Sequence, residues 1–351
     1  MASPRRRQRN SVLVAVYDCK VGYLVFRFDV KGLFSDENTS SSTPREVLPF
    51  PPNPLACFRR HPHGIQFMAL VASPGGDQIV AATDSRRTIV YDAVRSKYSA
   101  GPAQRAAKPR PILVAAQARL RRRRHDMLLA TTYPESGQQG PHFESFRLEG
   151  GGGGSGSGRL RSLPPVPPPP FDGRPRLWGY ARQVTSYFAA GERVWLSMDG
   201  EGTYSFDMAR REWRHEGSWV LPLEERAEYV PELGLLFGFR AKRLFFCACD
   251  IKVSPPVIRQ EWRWCDLAPG KHEGYSYQDT GLFFSFAGVA YLGGGRFCVS
   301  WCGMRPRGGG RRLFALTGVE VTPSSDGKLQ LRKRKSRCYL MSPHQTWARV
   351  L

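Results

Sequence analysis

QVTSYFAAGERVWLSMDGEGTYSFDMARREWRHEGSW, residues Gln183 to Trp219, is the stretch on which the reading of this chain turns. Val184 to Ala189, Val194 to Met198 and Tyr204 to Met208 are short runs rich in β-branched and aromatic residues, broken by Gly191-Glu192 and by Asp199-Gly200-Glu201-Gly202. Such runs between turn residues read as strands joined by tight turns, and a fourth starts at Trp213. The whole predicts one antiparallel four-stranded sheet of about 35 residues, the size of a propeller blade. Asp207 and Trp213 stand at the spacing D-x5-W. A carboxylate at a strand end accepts backbone N–H groups of the following turn, and a large ring seals the gap to a neighbouring sheet.

Outward from this stretch the pattern recurs. Val12 to Val16 and Tyr23 to Val30 form a hairpin ending in Phe28-Asp29-Val30. Phe67 to Ala72, Ile79 to Thr83 and Thr88 to Tyr91 end at Tyr91-Asp92, with Tyr98 in the place of Trp213. Ile112 to Ala116, Met127 to Thr132 and Phe143 to Leu148 end at Phe146-Arg147-Leu148, where the acidic mark is lost. Glu228 to Val230, Leu235 to Phe239 and Leu244 to Asp250 end at Cys249-Asp250-Ile251. Phe283 to Leu292, Phe297 to Trp301 and Leu313 to Val321 make a last set, with Gly293-Gly294-Gly295 at a turn and Glu320 near the mark, and Leu329 to Met341 would close a ring.

Asp29, Asp92, Arg147, Asp207, Asp250 and Glu320 thus recur about every 58 residues, against roughly 50 for a kelch repeat, the excess falling in loops. Six marks predict an all-β, kelch-like β-propeller of six four-stranded blades, with five or seven left open. The rival is a two-domain β-sandwich, which does not explain the recurring aromatic-Asp endings. Residues 1–11 read as a disordered basic N-terminus and 12–341 as a single propeller domain. A low-complexity Gly/Pro-rich loop is inserted at 149–176, Ser35 to Pro54 is a surface loop, and 342–351 is a C-terminal tail.

The run SYFAAGERVWLSMDGEGTYSFDMARREWRHEGSWVLPL, with AEYVPELGLLFGF, Pro255-Pro256-Val257 and VAYLGGGRFCV at Val289 to Val299, resembles a plant family, expanded in grasses, of kelch-like proteins defined as a domain of unknown function. The resemblance covers Val12 to Val321 and is most specific where Asp199-Gly200, Tyr204, Asp207, Trp213 and Gly293 to Gly295 match its pattern. It implies a kelch-like propeller and an intracellular plant protein, and it implies no catalytic residues. The Gly/Pro insertion and the arginine run at Arg119 depart from that pattern.

The chain has 351 residues, 41% of them hydrophobic, with 36 Gly and 28 Pro, a composition of many turns and few long helices. Its formal charge of +22 favours polyanionic partners. Eight cysteines without framework spacing point to a reducing compartment. No stretch reaches the roughly 18 apolar residues of a membrane span, so the expectation is a soluble monomer in the cytoplasm, the nucleus or both. Arg5, Arg6, Arg7 and Arg9 before the first acid leave an organelle transit peptide as the lesser reading.

Three groups of residues invite a functional reading. Arg332, Lys333, Arg334 and Lys335 have the composition of a nuclear-localisation signal or polyanion patch, and equally of a strand edge kept charged against aggregation. Arg161, Pro164 and Pro167 fit R-x-x-P-x-x-P, a polyproline II ligand, or a plain spacer. Further basic clusters stand at Arg119 to Arg124 and Arg305 to Arg312, with no recognition helix or zinc finger beside them. Cys247 and Cys249 would share one face of a strand, but Phe245, Phe246 and Ala248 around them favour core. Cys298/Cys302 and His61/His63 complete no zinc set. Asp84, Asp199 and Glu201 read as turn residues rather than an acid–base pair.

The sequence accordingly assigns no catalytic residue, cofactor or metal. It predicts a non-enzymatic scaffold or recruiting module binding protein through rim loops. The alternative is a basic nuclear or RNA-associated module, and a central-channel enzyme comes last.

Overall fold

The computed structural model describes residues 9–35, 47–59, 68–73, 77–108, 110–117, 125–131, 143–147, 161–164, 183–240, 245–263, 286–304 and 312–351. In chain order the strands begin β1 (Ser11–Asp18), β2 (Gly22–Asp29), β3 (Val47–Pro49) and β4 (Ala56–Arg59), with a single 3-10 turn, η1 (Lys31–Leu33), after β2. Next come β5 (Met68–Ala72), β6 (Gln78–Thr83), β7 (Thr88–Asp92) and β8 (Lys97–Ala100). β9 (Pro111–Gln117), β10 (His125–Thr131), β11 (Phe143–Arg147) and β12 (Arg161–Ser162) follow. β13 (Val184–Ala190), β14 (Arg193–Met198), β15 (Gly202–Asp207) and β16 (Glu212–Gly217) fall in the stretch quoted first. The rest are β17 (Leu223–Val230), β18 (Leu235–Arg240), β19 (Phe246–Asp250), β20 (Val257–Trp262), β21 (Phe286–Gly293), β22 (Arg296–Met304), β23 (Arg312–Pro323), β24 (Leu329–Leu340) and β25 (Gln345–Val350).

The protein is all-β, built from consecutive antiparallel meanders of four strands. The first strands of two of these, β13 and β17, pair in parallel at Ser186 with Glu225 and Tyr187 with Arg226. The chain divides into two compact units, His61–Arg226 and Met1–Arg60 with Ala227–Leu351.

In the unit His61–Arg226, sheets β5–β8, β9–β12 and β13–β16 stack in chain order. Val80 and Val90 of the first pack on Leu113, Met127 and Phe146 of the second. On its other face the second sends Ile112, Leu128 and Phe143 against Leu196, Phe206 and Trp213 of the third. The unit Met1–Arg60 with Ala227–Leu351 repeats the plan. Phe237 and Phe246 of β17–β20 meet Phe297 and Trp301 of β21–β24, whose far face offers Phe314 and Tyr339 to Phe26 and Phe28 of the sheet ordered β25-β1-β2-β4. A sandwich has two sheets with one buried face each. Here the middle sheet of each unit is buried on both faces, which removes the sandwich reading.

Several segments differ from the sequence expectation. The tail 342–351 contains β25, which pairs with β1 from Val14–Val350 to Asp18–Gln345, so the two ends of the chain share one sheet. Arg349 between the buried Ala348 and Val350, with a polar residue at Gln345 buried as well, hides the strand. At the other end, Arg9 and Asn10 of the presumed N-terminal arm are tied down: Arg9 N–H donates to Leu292 O and Val30 N–H to Asn10 O. Residues 1–8 lie outside the described residues.

The loop Ser35 to Pro54 yields β3, parallel to Cys338–Leu340 of β24, and Phe50, whose ring meets Phe26 at 4.9 Å and Phe28 at 5.6 Å. Prolines on both sides of Val-Leu-Pro-Phe mask it, because proline is tolerated only at sheet edges. Finally, the insertion 149–176 is not wholly loop, since Arg161–Ser162 pairs with β11 and Leu163 is buried.

Candidate functional site

Asp29, Asp92, Arg147, Asp207, Asp250 and Glu320 all lie on the third strand of their sheets, counted in sheet order. The four aspartates end those strands and cap the turn that follows. Asp92 Oδ1 accepts N–H bonds from Val94 and Arg95, and Asp207 Oδ1 from Ala209 and Arg210. Asp29 and Asp250 each accept one, from Lys31 and Lys252. The N–H of Arg95 holds the Asp92 carboxyl below the ordinary carboxylate range, and the N–H of Arg210 does the same for Asp207. For Asp250 the Arg259 guanidinium comes first.

Two of these turns superpose in detail. Tyr91 pairs with Tyr98 and Asp92 with Lys97, as Phe206 pairs with Trp213 and Asp207 with Glu212. The fourth residue after the aspartate takes positive φ in both, 52° at Ser96 and 63° at Arg211. Each capped turn is exposed and carries a cation: Lys31, Arg95, Arg210 and Lys252. Val94 is 76% exposed and Val253 37%. Each cap therefore fixes an exposed basic side chain at the end of its strand, with an exposed valine beside it at Val94 and Val253.

Trp213 is half-buried, its ring 5.0 Å from Phe206 and 4.8 Å from Phe143 of the adjoining sheet. Its indole N–H donates to Pro164 O, and Leu163 N–H to Phe143 O. Arg161 and Pro164 of the polyproline pattern are thus part of a sheet margin, and Pro167 lies outside the described residues. Tyr204 is buried against His215 at 4.8 Å. Gly293, Gly294 and Gly295 all take positive φ at the turn into β22, and a Cβ on Gly295 would fall 2.5 Å from Val321 O.

Arg332 to Lys335 lie within β24, hydrogen-bonded to β23 on one side. Arg334 donates through Nε to Glu320 Oε2 at 2.8 Å, and Glu320 Oε1 accepts from Arg296 Nε at 2.8 Å. Lys335 Nζ donates to Ser35 Oγ. A run that resembles an import signal is here a sheet strand with one arginine committed to a carboxylate.

Sequence reasoning missed a buried ion pair. Lys108 and Glu144, both fully buried, join in a short contact, and Glu144 Oε1 also accepts Arg105 N–H at 3.2 Å. Burial pushes the Lys108 pKa down. Beside it the buried Gln104 amide donates to Thr83 O and Arg87 O, so the connector between β8 and β9 is pinned to both sheets. Lys108 sits among prolines and alanines in a polar stretch, and no periodicity marks it.

Cys247 and Cys249 are buried, and burial pushes both thiols up to about 12, which suits core packing rather than thiolate chemistry. Among the described residues no three His, Cys, Asp or Glu side chains come together as a metal site, and no helix is long and apolar enough to cross a membrane. Asp84, Asp199 and Glu201 all lie in turns. His61, His63, Arg119 to Arg124 and most of Arg305 to Arg312 lie outside the described residues.

Among solved structures, the chain is similar to the Cps50 (Swd1) β-propeller domain of Myceliophteria thermophila, at 12% identity over 95% of this chain and 86% of that one, with a TM-score of 0.44. It is also similar to the computationally designed Ika8 protein, at 10% identity over 93% and 82%, with a TM-score of 0.40. No curated protein matches it. The model of the family described as "Protein of unknown function (DUF1668)" matches residues 8–339, and the chain belongs to that family.

Proposed function

We propose that this chain is a kelch-like β-propeller of six four-stranded blades that acts, without catalysis of its own, as a protein-binding scaffold or recruiting module in the cytoplasm or nucleus of a plant cell. The observation that supports this is the set of carboxylate-capped turns after Asp29, Asp92, Asp207 and Asp250, each fixed by backbone hydrogen bonds and each exposing a cation. A turn already held in place loses little conformational entropy on binding, and a basic surface speeds encounter with an acidic partner. The partner in this reading is an acidic protein surface.

A second reading, a nucleic-acid-binding module, draws on the +22 charge and on the exposed Arg332 of β24. The experiment is affinity purification of the tagged protein from plant cells, split into nuclease-treated and untreated halves. A parallel sample carries Arg95→Glu, Arg210→Glu and Lys252→Glu together. Partners that survive nuclease and disappear from the triple variant support the scaffold. Partners lost to nuclease overturn it in favour of nucleic acid, and binding that falls steeply with salt would accompany that result.

A further inference from the structure

We propose that the cleft between Arg9–Asn10, η1 and the β21–β22 turn is a seat for a single phosphate group, bound as its dianion. The cleft is a cavity of about 160 Å³ into which Arg9, Lys31 and Arg296 converge, with Asn10 and Ser35 as neutral partners and Phe34 as an apolar wall. A water occupies about 30 Å³ of liquid, so this volume has room for a tetrahedral oxyanion and a few waters. Two further cations stand at its margin. Lys335 Nζ donates to Ser35 Oγ at 2.9 Å, and the Arg337 guanidinium lies where a Cβ on Gly32 would meet it at 2.4 Å.

The charge balance favours a dianion. Glu320 bridges Arg296 and Arg334, so one carboxylate serves two guanidinium groups and leaves a net positive pair. Asp29 accepts the Lys31 backbone N–H, while the exposed Lys31 ammonium has no carboxylate partner among the described residues. Arg296 is further fixed with its guanidinium 5.1 Å from the Phe34 ring centre, a placement that sets a flat donor fork before the ligand arrives. The approach of η1 depends on Gly318, whose Cβ would fall 3.0 Å from Leu33 Cβ and 3.1 Å from Phe34 Cζ. Small size argues against a nucleic-acid strand, which needs a groove several phosphates long.

The test is isothermal titration of the full chain with inorganic phosphate, ionic strength held constant with sodium chloride. One saturable site is expected. Lys31→Met should weaken it about tenfold, the loss of one hydrogen bond to a charged group, while Lys31→Arg keeps it. Lys328→Met, which removes the same charge from a side chain 77% exposed beside Asp326, should leave it unchanged. Binding should also fade as pH falls below about 7, where inorganic phosphate passes from dianion to monoanion, and about one unit lower for a phosphate monoester.

Competition by O-phosphoserine or by adenosine monophosphate identifies what carries the phosphate. No saturable heat at about 10 mM phosphate, or equal losses from Lys31→Met and Lys328→Met, would overturn the seat and leave only screening of a basic surface. The seat is independent of the scaffold reading, because Lys31→Met can weaken phosphate binding about tenfold while partner capture through the other turns persists.

Discussion

Lys108 and Glu144 offer the sharpest perturbation, because neither side chain has any exposed surface. Lys108→Met leaves the Glu144 carboxylate with one described donor, the Arg105 N–H, and breaking a buried pair from one side costs about 3 to 5 kcal/mol. Removing both charges with Lys108→Met and Glu144→Leu leaves Arg105 N–H as the orphan, at about 1 to 3 kcal/mol. The double variant should therefore be more stable than Lys108→Met alone. Glu144→Gln exposes the pair's pH dependence. Burial already lowers the Lys108 pKa, and loss of the carboxylate lowers it further, so the folded state binds fewer protons than the unfolded one below about pH 10. Stability of Glu144→Gln should then rise relative to wild type from pH 7 towards pH 10, the sign linkage requires when the unfolded state holds the extra proton. Urea denaturation followed by circular dichroism measures all three variants. A cost below about 1 kcal/mol for Lys108→Met, or a double variant no more stable than Lys108→Met alone, would refute a dry, coupled pair.

Four further outcomes are expected. Trp213→Ala should cost about 3 kcal/mol by urea denaturation, from two ring contacts, half a buried indole and one hydrogen bond, whereas Trp213→Phe should cost about 1; equal losses would mean that the bond to Pro164 O, not ring packing, is what matters. Asp207→Ala should lose about 1 kcal/mol at neutral pH and Asp207→Asn less, since the amide still caps the turn. The carboxyls of Asp92, Asp207 and Asp250 are all lowered in the fold, so their stabilisation is complete above the ordinary carboxylate value and lost as pH falls below about 4; thermal melts of a triple Asp→Asn variant should show a flatter acid limb than wild type, and an identical limb would refute the assignment. Deletion of residues 342–351 should lower stability by at least about 4 kcal/mol, since it strips the buried Ala348, Val350 and Leu351 from their sheet and bares the edge of β1; an unchanged melting temperature would show that β25 is dispensable.

The strands of these sheets were legible where turns and apolar runs alternate cleanly. Val184 to Trp213 is the clearest case, because every break carries Gly or Asp and every strand carries β-branched or aromatic residues. What escaped were segments whose order comes from distant partners. β12 is two residues long and stands because Phe143 O and the Trp213 indole fix the chain after it. β25 sets Arg349 between the buried Ala348 and Val350, and its partner β1 lies at the other end of the chain. Lys108 is invisible for a related reason: a buried cation is recognised only through the acid that meets it, and Glu144 is 36 residues away. The cationic cleft is likewise assembled from residues far apart in sequence, Arg9 to Ser35 with Leu292 and Arg296, so no local run announces it.

The mark at Arg147 shows how far the repeat itself could be read. As a missing aspartate it looks like decay. In the sheet it stands directly opposite Asp126, and the two form an ion pair at 2.8 Å. Arg193 stands opposite Asp207 in the same way, and Arg296 opposite Glu320. The repeated quantity at these three places is therefore a cross-strand pair between second and third strands, with its polarity reversed in one sheet. A cross-strand pair stabilises a ladder equally with either sign order, since the Coulomb energy depends on the product of the charges. Turn capping is not symmetric, because only the carboxylate accepts N–H bonds. The two roles coincide at Asp207, and an arginine such as Arg147 can fill only the first of them. Among the described residues, capping therefore marks Asp29, Asp92, Asp207 and Asp250, while the cross-strand pair marks Arg147, Asp207 and Glu320.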